Sequence, residues 1–148
     1  MRIDPECLRD VLICVEENTG LRKACAFIDQ GVSGRVDAAL GSRYEPAEYQ
    51  KTLLEKHTND KIIYHLRYCI QDELIVELNG STSYRMLIAD LTPKGHQFIA
   101  QIRDEKQWGA VKKGLAAVRN YSLAAIGAVA EGVTSASISA YFSGEKNH

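Results

Sequence analysis

The sequence predicts an α+β protein, mainly helical, built as a winged helix-turn-helix domain with a two- or three-stranded β wing and a C-terminal helical extension. Apolar residues recur with a helical period in several segments of the first 119 residues. Two closely spaced helical segments are followed by Asn79-Gly80, a typical hairpin signal, between two runs with strand character. An alanine- and serine-rich segment then closes the chain. This order of elements is typical of winged-helix domains.

The first predicted helix begins at Asp4-Pro5. The Asp4 side chain can cap free amides, and Pro5 suits the first helical position. The helix is predicted to end in the stretch that holds Glu16, Glu17, Asn18 and Gly20, with Gly20 as a candidate C-terminal stop. The buried stripe follows a 3.6-residue period and consists of Cys7, Leu8, Val11, Leu12 and Val15.

Residues 18–45 are predicted to be an irregular insertion in a winged-helix domain that covers residues 1–119. The segment LRKACAFIDQ fits either a short helix or a strand, and both interpretations remain open. The following GVSGRVDAALGSR contains three glycines and predicts a long connection.

The next two predicted helices cover residues 46–56 and 60–72. Glu45-Pro46 starts the first, and Thr58 or Asn59 caps the second. The buried side of the second is predicted to consist of Ile62, Ile63, Leu66, Cys69 and Ile70.

A β-ribbon and two more helices are predicted to complete the domain. The strands cover residues 74–78 and 84–91, with the turn at Asn79-Gly80. Thr92-Pro93 caps and starts the next helix, which is followed by another. Their predicted inner residues are Phe98, Ile99, Ile102, Trp108, Val111, Leu115 and Val118.

The tail, residues 120–148, is predicted to be a separate helical element. Only Glu131 is charged within residues 120–142, which disfavours a membrane-surface helix because such helices carry Lys and Arg. Two interpretations remain open: the helix folds back onto its own domain, or it pairs with another copy in a homo-oligomer. The candidate self-association residues are Leu123, Ile126, Val129, Ala130, Val133 and Ala140.

Composition narrows the class of protein. The charged N-terminus has no apolar run, so we expect no signal peptide and a cytoplasmic location. The four cysteines lack a CxxC spacing and are expected to be buried and reduced. Residues 45–91 carry five Lys or Arg against eight Asp or Glu, which weighs against tight, nonspecific binding to nucleic acid.

The chain carries no catalytic or ligand-binding motif. It lacks the GxSxG of hydrolases and the glycine-rich loops that hold phosphate groups. His65 and Cys69 are four residues apart, as metal ligands on a helix can be, but no second pair lies nearby. We therefore predict a non-enzymatic protein without a cofactor or a metal.

The third predicted helix and the wing supply the candidate contact residues. A DNA-binding, regulator-like protein is the first hypothesis, and a protein-binding adaptor or inhibitor of a host protein is the alternative. A positive helix face would favour the first, and a negative or apolar face the second. A solvated helix face without a ligand also remains open. The candidate contacts are Lys56, Asn59, Lys61, Tyr64, His65, Arg67, Tyr68 and Arg85, with Ser81, Thr82 and Ser83 in the wing.

Three segments carry a family resemblance: LRDVLICVEENTGLRK, YQKTLLEKHTNDKIIYHLRYC and DLTPKGHQFIAQIRDEKQW. They resemble a prophage-associated bacterial winged-helix family of unknown function, the YjcQ-like domain-of-unknown-function family, and the likeness covers nearly the whole chain, including the tail. The sharpest matches are Tyr64-His65-Leu66 and the run LTPKGH at residues 91–96. The resemblance implies a winged-helix fold and a phage context, but no activity and no site residues. It departs at residues 71–75, where QDELI lacks the usual glycine, so that turn must take another form.

Overall fold

The structure, a computed structural model, describes residues 1–32 and 45–146, with the backbone alone described for 144–146. It is an α+β fold, mainly helical, with a small antiparallel sheet. The helices are α1 (Pro5–Glu17), α2 (Glu48–Leu54), α3 (Asn59–Gln71), α4 (Pro93–Ile102), α5 (Glu105–Val118) and α6 (Leu123–Lys146), and the strands are β1 (Cys25–Ile28), β2 (Ile75–Glu77) and β3 (Arg85–Leu91).

The predicted start of α1 is confirmed, and its end lies within the predicted stretch, before the candidate stop Gly20. The Asp4 carboxylate accepts hydrogen bonds from the amides of Glu6 and Cys7 at 3.0 and 3.4 Å. The helix ends at Glu17, where Asn18 donates a side-chain hydrogen bond to the Cys14 carbonyl at 2.8 Å. Asn18 therefore terminates the helix before Gly20 is reached.

The segment LRKACAFIDQ, which fits either a short helix or a strand by its sequence, contains the strand β1. This strand pairs antiparallel with β3, from Cys25 opposite Ile88 to Ile28 opposite Arg85. The strand order is β1-β3-β2, so β3 is central and the two other strands form the edges. Residues 33–44, most of the predicted glycine-containing loop, lie outside the described part of the chain.

The predicted ribbon between β2 and β3 is confirmed, but its turn is not at Asn79-Gly80. Asn79 does not have a positive φ, and the two residues form an ordinary turn in which the Leu78 carbonyl accepts from the Ser81 amide at 3.2 Å. The chain reverses later, where the Thr82 amide donates to the Arg85 carbonyl at 2.8 Å. The Ser81 hydroxyl accepts from the Leu87 amide at 2.9 Å, which extends the ribbon past the first turn.

The turn from α3 into β2 replaces glycine with a strained residue. Glu73 has a φ of 60°, in the left-handed region. The Leu74 amide donates to the Cys69 carbonyl at 2.8 Å, and the Glu73 amide donates to the Ile70 carbonyl at 3.1 Å. These two bonds form a Schellman motif, which normally has glycine at the position of Glu73.

The later helices close one continuous core. Ile99, Ile102, Trp108, Val111 and Leu115 are buried as predicted. Val118 was predicted to be buried but is 57% exposed, because α5 ends there and the chain reverses at Arg119, whose φ is 54°. The same buried cluster includes Leu123, Ile126 and Ala130, so the first half of α6 packs onto the rest of the chain.

An arginine that sequence reasoning did not single out joins the first and last parts of this core. Arg9 is only 7% exposed, and its guanidinium donates to the carbonyls of Ile102 and Arg103 at 2.7 and 2.6 Å. These carbonyls belong to the end of α4, where backbone acceptors lack helical partners. The guanidinium also lies 5.6 Å from the centre of the Trp108 ring, so it links α1, α4 and α5.

Candidate interaction surface

Helix α3 is held by one face and offers the other to solvent. Thr58 caps the helix by accepting a hydrogen bond from the Lys61 amide at 3.3 Å. Ile62, Leu66 and Cys69 are completely buried and fix the helix against the core. Their spacing determines which side chains of the helix remain available to a partner.

His65 is not among the available side chains, because it is completely buried. Its Nε2 atom accepts a hydrogen bond from the Asp4 amide at 2.8 Å, and its Nδ1 atom lies 2.7 Å from the Lys61 carbonyl. The first contact requires an unprotonated Nε2, and the second requires a proton on Nδ1, so the ring is neutral. Burial lowers the pKa of His65 below its ordinary value, which agrees with a neutral ring. His65 therefore offers no surface to a partner and no lone pair to a metal.

Asn59 and Lys61 are used within the chain. The Asn59 side chain accepts from the Gln30 amide at 2.8 Å and donates to the Asp29 carboxylate at 3.0 Å. The Lys61 ammonium lies 2.8 Å from the Asp4 carboxylate. Burial by itself raises the pKa of Asp4, but hydrogen bonds from Lys61 and the Cys7 amide outweigh it and lower the pKa overall. Lys61 is thus neutralised locally.

The candidates that remain together are two tyrosines and two arginines. Tyr64 and Tyr68 are partly exposed neighbours on α3, with ring centres 6.1 Å apart. Arg67 is exposed on the same helix, to one side of the two tyrosines, and Arg85 is exposed at the start of β3. Both arginines line a small cleft between α3 and the ribbon that also includes Thr82 and Ser83. Within residues 1–32 and 45–146, neither guanidinium forms an ion pair.

Lys56 belongs to a different groove, between α1 and α2. It lines this groove together with Asp10, Cys14 and Tyr49. His57, which sequence reasoning left unassigned, lies 2.8 Å from Asp10. A histidine–aspartate pair can activate a nucleophile. However, burial raises the pKa of the Cys14 thiol to about 12, so the nearby sulfur is not a thiolate at neutral pH.

The cysteines are buried, as expected. Burial raises the pKa of Cys7 and Cys25 to about 12 and also raises that of Cys69. A thiol with such a pKa is a poor nucleophile and a poor metal ligand. In the part of the chain that is described, no three His, Cys, Asp or Glu residues cluster as a metal site would need.

The candidate self-association residues of the tail fall into three groups. Leu123, Ile126 and Ala130 are buried inside the chain. Val129 and Val133 are partly buried against the same core, and Ala140 is exposed. Most of these residues are therefore used within one copy.

Helix α6 changes character along its length. Residues 123–143 are long and apolar enough, with a mean hydropathy of 1.4, to pass a test for a membrane-crossing helix by length and composition. A soluble core helix passes the same test. Residues 135–143 are exposed, and among them Ile138, Tyr141 and Phe142 are each more than half exposed.

The comparison with family models identifies the chain as a member of an uncharacterised domain family. The matching model is described as "Hypothetical protein (DUF2513)", and it covers residues 2–120. The chain therefore belongs to the DUF2513 family. The match contains the sheet and α1 to α5 and ends just before α6, so it does not extend to the tail. No curated protein and no solved structure matches the chain.

Proposed function

We propose that this DUF2513 chain is a winged-helix module that binds another protein through the exposed face of α3 and the adjoining ribbon. The order α1-β1-α2-α3-β2-β3 and the strand order β1-β3-β2 support the winged-helix assignment. The resemblance to prophage-associated YjcQ-like proteins belongs to the same proposal and rests on the LTPKGH run at 91–96.

The composition of the α3 face carries the proposal. Tyr64 and Tyr68 lie side by side with Arg67 next to them on the same helix, while the second cation of the helix, Lys61, is paired with Asp4. Tyrosine and arginine are among the residues most enriched in protein interfaces and their hot spots. A DNA-reading helix instead needs several cations to neutralise phosphates, and residues 45–91 carry more acidic than basic residues.

A capture experiment tests the protein-binding proposal. The full chain would be immobilised and exposed to a cell lysate beside the variants Tyr68→Ala and Arg67→Ala. We expect a stoichiometric protein whose binding weakens roughly 30-fold in each variant, the loss typical of a hot spot. Lys113→Ala, an exposed change on α5, is the matched control and should leave capture intact. Capture that none of these variants alters, or no capture at all, would contradict the proposal.

DNA binding is the second candidate, and one observation favours it. Arg67 on α3 and Arg85 on β3 lie at the same small cleft as the hydroxyls of Thr82 and Ser83, which are the types of side chain that contact phosphate groups, although Asp29 lines the cleft too. Fluorescence anisotropy with a labelled random duplex at about 50 mM salt is the direct measurement. The protein-binding proposal expects no binding at micromolar concentration. Binding that weakens with salt, with a slope reduced by about one in Arg67→Ala and again in Arg85→Ala, would establish the DNA candidate instead.

A further inference from the structure

The exposed side of α6 carries a regular stripe. Its members are separated by four, three, four, three and four residues, which is the spacing of a helix that pairs with another helix. All of them are exposed. The outer stripe consists of Ala124, Ala128, Glu131, Ser135, Ile138 and Phe142.

Side-chain size along the outer stripe is strongly graded. The first half presents two alanines, and the second half presents Ile138 and Phe142, which are 52% and 54% exposed. Two such helices side by side in the antiparallel direction place Phe142 opposite Ala124 and Ile138 opposite Ala128. Large side chains then face small ones at every level, which is how helices pack densely. A parallel pair would instead place Glu131 beside Glu131 and the two phenylalanines against each other.

A groove lies beside the small half of the stripe. Leu74, Phe98, Leu123 and Gly127 line it, together with the charged side chains of Asp72, Lys94 and Glu131. Gly127 has no side chain to fill the space, and a Cβ built there would be 3.9 Å from the Phe98 ring. Ala124 and Ala128 border the same groove. It is therefore a recess with apolar side chains as well as three charged ones, next to the positions that Phe142 and Ile138 of a second antiparallel helix would face.

Within residues 1–32 and 45–143, no side chain covers the large half of the stripe, because residues 135–143 are all exposed. The Gln107 side chain donates to the Thr134 hydroxyl at 2.6 Å, so the start of α5 lies beside the middle of α6. Residues 135–146 extend past that point, a length of about 18 Å. A helical segment this short is marginal in water without packing.

We propose that a second copy of this chain covers the outer stripe, through an antiparallel pair of α6 helices related by a twofold axis. The end of each α6 lies in the groove of the other copy. The same contact is therefore made twice, once at each end of the helix pair, as a closed isologous interface requires. Glu131 is the only charge from residue 120 to residue 144, so self-pairing meets little like-charge repulsion. This inference is independent of the proposed function of α3.

A membrane is a poorer occupant of the stripe. A spanning helix needs about 20 residues to cross roughly 30 Å of hydrocarbon. Only residues 135–146 extend beyond the core, because Leu123, Ile126 and Ala130 are buried within it. A spanning α6 would have to leave the core of its own domain.

Analytical ultracentrifugation of the full chain over a dilution series tests the inference. We expect a species of twice the 16.4 kDa monomer mass that dissociates on dilution. Ala128→Arg and Ile138→Glu should each weaken it about 100-fold, because each places an unpaired charge in an apolar contact. Ala140→Arg, equally exposed on the same helix but off the stripe, is the matched control and should leave the dimer intact. Circular dichroism checks that each variant is folded.

A mixture of the two variants tests the direction of the helices. In an antiparallel pair, Arg at position 128 of one copy faces Glu at position 138 of the other, while the opposite end keeps the native contact. Mixing Ala128→Arg with Ile138→Glu should therefore restore a dimer that neither forms alone. A wild-type chain that stays monomeric, or a mixture that stays monomeric, would overturn the inference. Flotation with phosphatidylcholine–phosphatidylglycerol vesicles by the wild-type chain, but not by Ile138→Glu, would also overturn it. The end of α6 would then contact a membrane.

Discussion

At the scale of single residues, the buried imidazole of His65 joins the first residues of the chain to α3. It accepts from the Asp4 amide, while the Asp4 carboxylate caps α1 and holds Lys61. Protonation of Nε2 would replace this hydrogen bond with two N–H groups that face each other. The neutral ring is thus part of the folded state, and the folded chain resists protonation there.

This arrangement predicts a loss of stability in weak acid. The pKa of His65 is lowered in the folded state by burial, so the unfolded chain takes up its proton first, near pH 6.5. The histidine's contribution to the free energy of unfolding is therefore complete above pH 6.5. It decreases by up to about 1.4 kcal/mol per pH unit as the pH falls from there towards the folded pKa.

Urea unfolding between pH 7.5 and about pH 5 measures this slope. The lowered pKa values of Asp4 and Glu6 matter only at lower pH, below their ordinary values of 3.8 and 4.5. The variant His65→Gln should flatten the slope, whatever its stability at pH 7.5. Tyr64→Phe, a change of similar size on the same helix, should retain it. An unchanged slope in His65→Gln would refute the assignment.

Glu73 stores backbone strain that glycine would remove. An L-residue in the left-handed region costs roughly 1–2 kcal/mol. Glycine would remove this cost, but its greater conformational freedom in the unfolded chain offsets part of the gain. We therefore expect Glu73→Gly to increase the free energy of unfolding by about 0.5–1 kcal/mol. Gln71→Gly, an exposed position with ordinary helical geometry two residues earlier, should reduce it by a similar amount. Chemical denaturation of both variants measures the two signs, and a destabilised Glu73→Gly would show that its side chain outweighs the strain.

Residue-scale prediction from the sequence succeeded where the interaction is local. The caps Asp4 and Thr92 each accept from amides within three residues, so their neighbours in the sequence suffice to predict them. The burial of His65 was missed because it depends on Asp4, which lies 61 residues away. The deep position of Arg9 likewise depends on carbonyls at the other end of the chain.

At the scale of elements, α2 closes one edge of the sheet with side chains. The Tyr49 hydroxyl accepts from the Ala26 amide at 2.7 Å and donates to the Ala26 carbonyl at 2.9 Å. The fully buried Gln50 makes the same pair of bonds with Ile28, at 2.8 and 2.7 Å. These side chains take the place of a fourth strand along β1, whose edge would otherwise expose unpaired backbone groups.

The start of α4 rests directly on the turn between α3 and β2. The Thr92 hydroxyl donates to the Glu73 carbonyl at 2.5 Å and accepts from the Gly95 amide at 3.0 Å. A Cβ at residue 95 would lie 2.0 Å from the Leu74 carbonyl oxygen, a backbone atom that cannot move alone. This close approach gives a physical reason for the glycine in the run LTPKG at residues 91–95.

We therefore expect Gly95→Ala to lower the free energy of unfolding by about 3 kcal/mol, the upper part of the usual range for overpacking. Gly109→Ala is the matched control, because residue 109 lies inside α5 with open space around its Cβ position. That change should stabilise the chain by about 0.5–1 kcal/mol through helix propensity. Thermal unfolding of both variants gives the comparison. If Gly95→Ala were tolerated as well as Gly109→Ala, the contact between α4 and the turn would not be tight.

Element-scale prediction depended on how far apart the interacting segments lie. The helices and the ribbon were recovered because their periodicity and caps are local, with ends shifted by one to two residues. Strand β1 stayed open because its pairing partner, β3, lies about 60 residues away. The site was recovered in part. The sequence indicated which residues of α3 and the ribbon to consider, but long-range contacts removed His65, Asn59 and Lys61 from the available set.

At the scale of the whole molecule, only the first half of α6 belongs to the core. Leu123, Ile126 and Ala130 share one buried cluster with Trp108 and Leu115 of α5. The interpretation that the tail folds back onto its own domain is confirmed for the first half of α6, and self-association of the tail stays a prediction. Amphipathic spacing alone does not indicate where along a helix the neighbouring elements end. The family match stops at residue 120, yet the physical core continues beyond it.

Because the first half of α6 is buried and the second half is exposed, we expect different results for two truncations. A chain ending at residue 119 exposes Trp108, Val111 and Leu115 and loses the burial of Leu123 and Ile126. At about 2 kcal/mol for each large apolar side chain, the loss of Leu123 and Ile126 alone removes about 4 kcal/mol, which is most of the stability of a marginal domain. A chain ending at residue 136 keeps every buried residue of α6 and the hydrogen bond between Gln107 and Thr134.

Urea unfolding of both truncations, with the full-length Ile138→Glu variant as a monomeric reference, measures the difference. The chain ending at 136 should unfold within about 1 kcal/mol of the reference, because residues 137–143, most of the segment removed, are exposed among the described residues. The chain ending at 119 should be largely unfolded or aggregated. If it were as stable as the reference, the first half of α6 would not be part of the core. If instead the chain ending at 136 failed to fold, residues 137–146 would contribute to the stability of the monomer, in addition to the contacts that bury the first half of α6.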